Sequence, residues 1–297
     1  MNANHFNILS SKIVFLMLTI LPVGGGFVYA FLYSIGTIGI LNNGFTLAHW
    51  VNVLTDTSFW FSLGYSFYVA IVSVGLSILL ALTIVLFWKK SLVSNNSIVS
   101  YLLYIPLCFP AIVVALFSFQ VWSKSGLISR IVSHLGILTE ITSFPDLTND
   151  TYGFSILYSC ILMITPFFAI LFSNLYKQEQ IDHLKNIAMS LGATSTQALF
   201  KIVLPVILKK AKITISLFIV FVMSSYEIPL LLGRQNPQMI SVLAIQKLQR
   251  FNLNDIPQAY AIACLYMIFI GLVLYFLFFS KSSTQLSVSP LKRNFDD

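Results

Sequence analysis

Charge is what this chain has least of: Asp, Glu, Lys and Arg make up 9% of its 297 residues, against roughly 25% in a soluble domain. With 57% hydrophobic residues, it cannot cover a globule with solvated side chains, which excludes the water-soluble classes and makes lipid its solvent. Cysteine is scarce too. Cys108, Cys160 and Cys264 stand singly inside apolar runs, which excludes a disulfide framework and predicts three small buried residues. His5, His49, His134 and His183 fall in four different connections, so spacing builds no metal site. The sequence has no Gly-x4-Gly-Lys-Ser/Thr phosphate loop, no His-Glu-x-x-His and no Gly-x-Ser-x-Gly. Nucleotide hydrolysis, zinc proteolysis and serine-hydrolase chemistry therefore have no residues to carry them. No catalytic, cofactor-binding or metal-binding residue is expected, and an integral membrane enzyme is a weak reading.

What the sequence does have is six apolar runs long enough to cross a bilayer, at about 13–35, 59–88, 99–122, 153–176, 211–232 and 258–280. They predict an all-α integral membrane fold of six transmembrane helices over 13–280. A short segment 1–12 precedes it, a long loop 177–210 interrupts it, and a polar tail 281–297 follows. The first run is expected to stay as a span, because it exceeds a signal peptide's apolar core and lacks a small-x-small cleavage site.

Orientation follows from Lys and Arg. With the N-terminus inside, twelve of these residues are cytoplasmic, among them Lys12, Lys89, Lys90, Lys177, Lys185 and Lys201. Five are outside: Lys124, Arg130, Arg234, Lys247 and Arg250. Both termini are thus cytoplasmic. The basic residues are dispersed among loops, so the net charge of +7 is a topology signal and no nucleic-acid partner is expected. Trp50, Trp60, Trp88 and Trp122 lie near span ends, as an aromatic belt requires.

Helix-disrupting residues recur inside the runs: Pro22 with Gly24, Gly25 and Gly26, then Pro106 and Pro110, Pro166 and Pro229. In lipid, backbone groups freed at such places need protein or a polar cavity. One acidic residue lies within a run, Glu227 in "SSYEIPLLLG". It either faces a water-filled path, where a cationic cargo would gain from it, or sits at the interface, capping the break at Pro229 or pairing with Arg234. Ser216, Met223 and Tyr226 are the other candidates for a path along this run.

Between the fourth and fifth runs stands "KQEQIDHLKNIAMSLGATSTQALFKIVLPVILKKAK". Leu184, Ile187, Ala188 and Leu191 form an apolar stripe of one short helix. Gly192 follows where a left-handed helix terminus favours glycine. Thr194 and Gln197 have capping-box spacing, and Pro205 is expected to end a second short helix and open the fifth span.

This segment resembles the EAA loop of the permease subunits of bacterial binding-protein-dependent ABC importers: Glu-Ala-Ala, three residues, Gly, nine residues, Ile-x-Leu-Pro. Ala188, Gly192, Ile202, Leu204 and Pro205 match at that spacing, while Asn186 and Ile187 replace the Glu and first Ala. The Pro-rich stretch from Ile105, "IPLCFPAIVVALFSFQVW", and "YEIPLLLG" at the end of the fifth run resemble the same family. Similarity extends from about Phe45 to Phe279. It looks most like the branch that moves iron(III), thiamine, polyamines or sulfate-like oxyanions.

The resemblance implies a type I ABC importer permease fold with cytoplasmic coupling helices, set in the bacterial inner membrane. It implies that Asn186, Ile187, Ala188, Leu191, Gly192, Ala193, Gln197, Ile202, Leu204 and Pro205 carry the docking of a separate ATPase subunit, which binds ATP and Mg. A second permease subunit and an external solute-binding protein complete the implied assembly. The competing reading is a gradient-driven secondary transporter or channel, for which Glu227, close to the outer end of the fifth run, is the lone candidate and no repeat is visible.

Overall fold

The computed structural model describes residues 3–40, 44–88, 98–137 and 143–279; the loop 89–97 and the tail, 281–297, lie outside the described residues. Every regular element among the described residues is helical: α1 (Ala3–Ser34), α2 (Ala48–Thr55), α3 (Thr57–Phe87), α4 (Ile98–Tyr104), α5 (Ala111–Trp122), α6 (Leu127–His134), α7 (Phe154–Gln178), α8 (Ile181–Ser190), α9 (Ser195–Ala198), α10 (Leu204–Met223), α11 (Glu227–Leu232), α12 (Ile240–Gln249) and α13 (Asp255–Phe279).

Among the described residues, five stretches are by length and composition apolar enough to cross a membrane: Val14–Ser34, Thr57–Phe87, Ala111–His134, which the turn at 123–126 divides into α5 and α6, Phe154–Gln178 and Asp255–Phe276. The sequence predicts six, and the difference lies in 211–232. That run is not one helix: α10 ends at Met223 and α11 starts at Glu227, and α10 carries Lys209, Lys210 and Lys212 in its first half. The run 99–122 is also divided. Phe109 is extended ahead of Pro110, as a residue before proline must be, so a 3-10 turn at Pro106–Cys108 separates α4 from α5.

The prolines of α1 and α7 do not break their helices. Pro22 and Pro166 lie inside continuous helices, and a Cβ at Gly24, Gly25 or Gly26 would meet nothing within 4 Å. A helix surrounded by lipid has no other partner for its backbone groups, so losing one bond at a proline costs less than unwinding. Helix also extends back to Ala3, through the segment expected to be a short tail.

The core is built on small polar residues. Ser62, Ser66, Ser73 and Ser77 of α3 are buried with Val69, Ala70 and Ala81, and α3 runs closely along α7. Short side chains let two backbones approach, which matters because lipid supplies no hydrophobic drive to pair helices. Ser73 satisfies its hydroxyl by donating to Val69 O at 2.7 Å, and Ser159 Oγ donates to Ser118 Oγ at 2.7 Å, joining α7 to α5. On the other side of α3, Phe59, Leu63, Ile240, Leu243, Ala261 and Ile262 form a second cluster around Val53. Cys160 and Cys264 are buried as expected, whereas Cys108 is exposed, because it sits in the turn that the two prolines open.

Beside that second cluster lies an ionic corner. Lys247 Nζ, on α12, meets Asp56 Oδ2 at 3.3 Å and donates to Gln258 Oε1 on α13 at 3.0 Å. Asp56 also caps α3, accepting from Ser58 N at 2.9 Å. Burial pushes the Asp56 carboxyl up, but the Ser58 hydrogen bonds and Lys247 together outweigh it and hold the carboxyl below its ordinary value.

Candidate functional site

Two places combine exposed or polar side chains with an unusual backbone: the connection from α7 to α10, and the break between α10 and α11.

The connection begins with an elbow that the sequence does not announce. Gln180 takes the left-handed conformation at φ 47° between α7 and α8, uncommon for a residue with a Cβ. Tyr176 Oη donates to Asp182 Oδ1 at 2.8 Å across this elbow, and Lys210 Nζ meets Glu179 Oε1 at 2.8 Å, tying it to α10. Helix α8 then runs to Ser190. Ala193 N donates to Ala188 O and Gly192 N to Met189 O, both at 3.0 Å, the paired bonds of a Schellman turn. Gly192 makes that turn at φ +93°, with open space where a Cβ would stand. Thr194 and Gln197 form a reciprocal capping box at the start of α9.

Pro205 does not end this helix. A π-helical turn, Leu199–Val203, joins α9 to α10 without a break. The wider turn accommodates the ring that would otherwise press on the carbonyl four residues back. The segment from Ser195 to Met223 is therefore one continuous rod.

Of the residues expected to form this site, Ala188 is buried and Asn186, Ile187, Leu191, Gly192, Gln197 and Pro205 are exposed; Ala193, Ile202 and Leu204 are half-buried. Three of the four residues in the apolar stripe of α8 face away from its own chain, and the fourth, Ala188, packs on it. Leu184 is 37%, Ile187 45% and Leu191 84% exposed, while α8 is anchored through Ile181 and Ala188.

At the second place, α10 ends and three residues pass before α11 begins. Pro229 has no N–H to give the carbonyl of Ser225 four residues earlier; Ser241 Oγ donates to that carbonyl instead. Ser224 Oγ bonds Val220 O at 2.9 Å and lies 3.0 Å from Tyr266 Oη on α13. These groups face a cavity of about 590 Å³ between α1, α12 and α13, lined by Ser224, Tyr226, Ser241 and Tyr266 among apolar side chains. Of the four path candidates, Tyr226 lines this cavity. Met223 is fully buried, and buried Ser216 donates to Lys212 O. Glu227 is exposed in the first turn of α11 and outside the cavity wall. Arg234 donates to Thr151 Oγ1 at 2.8 Å, and the ion pairs among the described residues do not include Glu227 with Arg234.

Ser224, Ser241 and Tyr266 were not legible as site residues. The available signal was the spacing of Ser225 and Pro229, which leaves one carbonyl without a partner; no sequence pattern says that Ser241 supplies it. Among the described residues no three His, Cys, Asp or Glu side chains converge to hold a metal ion.

No protein-family profile and no curated protein sequence matches this chain. Solved structures do match. The chain is similar to a bacterial ABC transporter involved in the import of the acidic polysaccharide alginate, with a TM-score of 0.57 and 16% identity over 92% of this chain and 94% of that one. It is likewise similar to the bacterial alginate ABC transporter in complex with an alginate pentasaccharide-bound periplasmic protein, with a TM-score of 0.55 and 18% identity over 91% and 92% of the two chains. Over about nine-tenths of its length the chain shares the fold of a chain of a bacterial ABC importer.

Proposed function

We propose that this chain is the transmembrane permease subunit of an ABC importer. It forms the path for a small polar solute and leaves ATP hydrolysis to a separate subunit. The observation that carries the proposal is the outward-facing apolar stripe of α8, Leu184, Ile187 and Leu191, held on a braced elbow and continued into the α9–α10 rod. An apolar face so exposed on the inner side seeks a partner. A rod without a hinge passes rigid-body motion from that partner to the break at Ser224. The fold shared with alginate importer structures supports the same reading.

In this assembly α10 and α11 together make the fifth of six crossings, and both termini are cytoplasmic in the inner membrane. The ATPase subunits bind ATP and Mg. A second permease subunit completes the path, and an external binding protein delivers the solute and performs most of the selection. The cavity beside Ser224, Tyr226 and Tyr266 is the part of the path that this chain contributes.

Gentle detergent extraction of the tagged chain from its native membrane, with mass spectrometry of what copurifies, tests this reading. An ATPase subunit carrying a phosphate loop is expected, with a permease partner or a second copy of this chain. Recovery of this chain alone, under conditions that preserve a known ABC complex, would favour a gradient-driven carrier.

A further inference from the structure

The outer end of α5 folds back on α6 and leaves a recess of about 460 Å³ between them, walled by Phe117, Phe119 and Leu127 and rimmed by Gln120, Ser125 and Arg130. The fold-back is tight: a Cβ at Gly126 would stand 2.7 Å from Gln120 O and 2.8 Å from Val121 O. A second recess of about 300 Å³, between Pro106, Phe109, Val113 and Leu162, shares Phe117 with the first and is purely apolar. From Val113 to Gln120 along α5 is about 10 Å at the rise of an α-helix, within the ~15 Å depth of one leaflet's hydrocarbon.

The rim carries positive charge without a carboxylate partner among the described residues. Arg130 Nε donates to Ser125 O at 3.1 Å, which leaves the outer edge of the guanidinium available. Lys124, four residues before Ile128, is exposed. The first turn of α6 has no side-chain cap. Leu127, Ile131 and Leu135, one face of α6 continued past its end, are 55%, 46% and 66% exposed, and Phe117 and Leu116 of α5 are exposed as well. A helix with this division lies along a membrane surface, its apolar face in the acyl region and its cations at phosphate level.

We propose that this pair of recesses binds a glycerophospholipid of the outer leaflet. Arg130 and Lys124 hold its phosphate, and one acyl chain passes Phe117 into the recess at Leu162. The guanidinium fork suits a phosphate oxygen pair, and the apolar lower recess suits nothing charged. The outer-leaflet assignment rests on the proposed orientation, with both termini cytoplasmic, and does not depend on the coupling role of α8.

The test is native mass spectrometry of the purified full chain titrated with phosphatidylglycerol, with diacylglycerol of the same chains, with dihexanoyl phosphatidylglycerol and with inorganic phosphate. One phosphatidylglycerol is expected to bind. Arg130→Gln should weaken it roughly tenfold, the effect of losing a charge-assisted bond, and diacylglycerol should bind no better than phosphatidylglycerol does to that variant. Leu162→Trp, which fills the lower recess, should weaken the long-chain lipid and leave the dihexanoyl lipid unchanged. It keeps the test decisive if Arg130→Gln fails to fold. Equal binding by wild type and variants would overturn the proposal. So would inorganic phosphate binding as well as the lipid, or a photo-crosslinker at Phe117 capturing a second permease chain in membranes in place of lipid.

Discussion

The connection around Gly192 and the corner around Lys247 are both places where helices change direction, and they are held by different means. At the Lys247 corner the side chains turn inward: Val53, Ile240 and Leu243 are buried, and buried Lys247 bridges α12 to Asp56 and Gln258. At the Gly192 connection the backbone does most of the holding, through a Schellman turn and a capping box, and Leu184, Ile187 and Leu191 face out. A corner that packs on its own chain is complete by itself. One that is stiff in its backbone but open in its side chains is shaped for something else to pack on it.

The sharpest way to break this comparison is Lys247→Ala. It leaves Gln258 and the partly exposed Asp56 without their cation, and should lower stability in detergent by about 1–3 kcal/mol, read as a lower melting temperature. An unchanged melting temperature would mean that the ion pair is incidental. Gly192→Val comes next. With φ at +93° and no atom within 4 Å of its Cβ, the cost is backbone strain of about 1–2 kcal/mol. That strain falls on the turn, so ATPase-subunit association should drop while the melting temperature moves less than in Lys247→Ala. Normal association would mean that the turn is not needed for docking.

A smaller effect follows from pH. Because the folded carboxyl of Asp56 lies below its ordinary value, the Lys247 corner's contribution is fully present above the ordinary carboxylate range. It is lost as pH falls through the lowered value. Stability measured down through that range should fall for the wild type, and Lys247→Ala should flatten the part of the slope due to this pair. Leu191→Ser should have the least effect on the fold. The side chain is 84% exposed, so melting should change by less than about 0.5 kcal/mol, while copurification of the ATPase subunit weakens. Loss of fold stability instead would show that the stripe packs on its own chain.

How much of this was legible in the sequence depends on whether the cause was local. Gly192, Thr194 and Gln197 announce their turn and cap, because each acts within five residues. Gln180 announces nothing: its left-handed conformation is imposed by Tyr176 and Asp182 bonding across the elbow and by Glu179 reaching Lys210. The prolines teach the same thing. Pro106, Pro110, Pro22 and Pro166 all carry the same helix-breaking chemistry, yet only the first two open a helix, because whether a freed carbonyl finds another partner is a matter of neighbours. At Pro229 that neighbour is Ser241, twelve residues away.

By itself the sequence determined that the chain lives in lipid, since 9% charged residues cannot solvate a globule. It also determined where most helices run and where the Gly192 turn falls, because apolar length, glycine and capping spacing act at short range. The tertiary structure alone decided which face of α8 stays open, that Lys247 finds Asp56 across the fold, and that Ser224, Ser241 and Tyr266 meet at one break. Those outcomes depend on which helices become neighbours, and that is set by close packing of whole surfaces, which no short pattern of residues encodes.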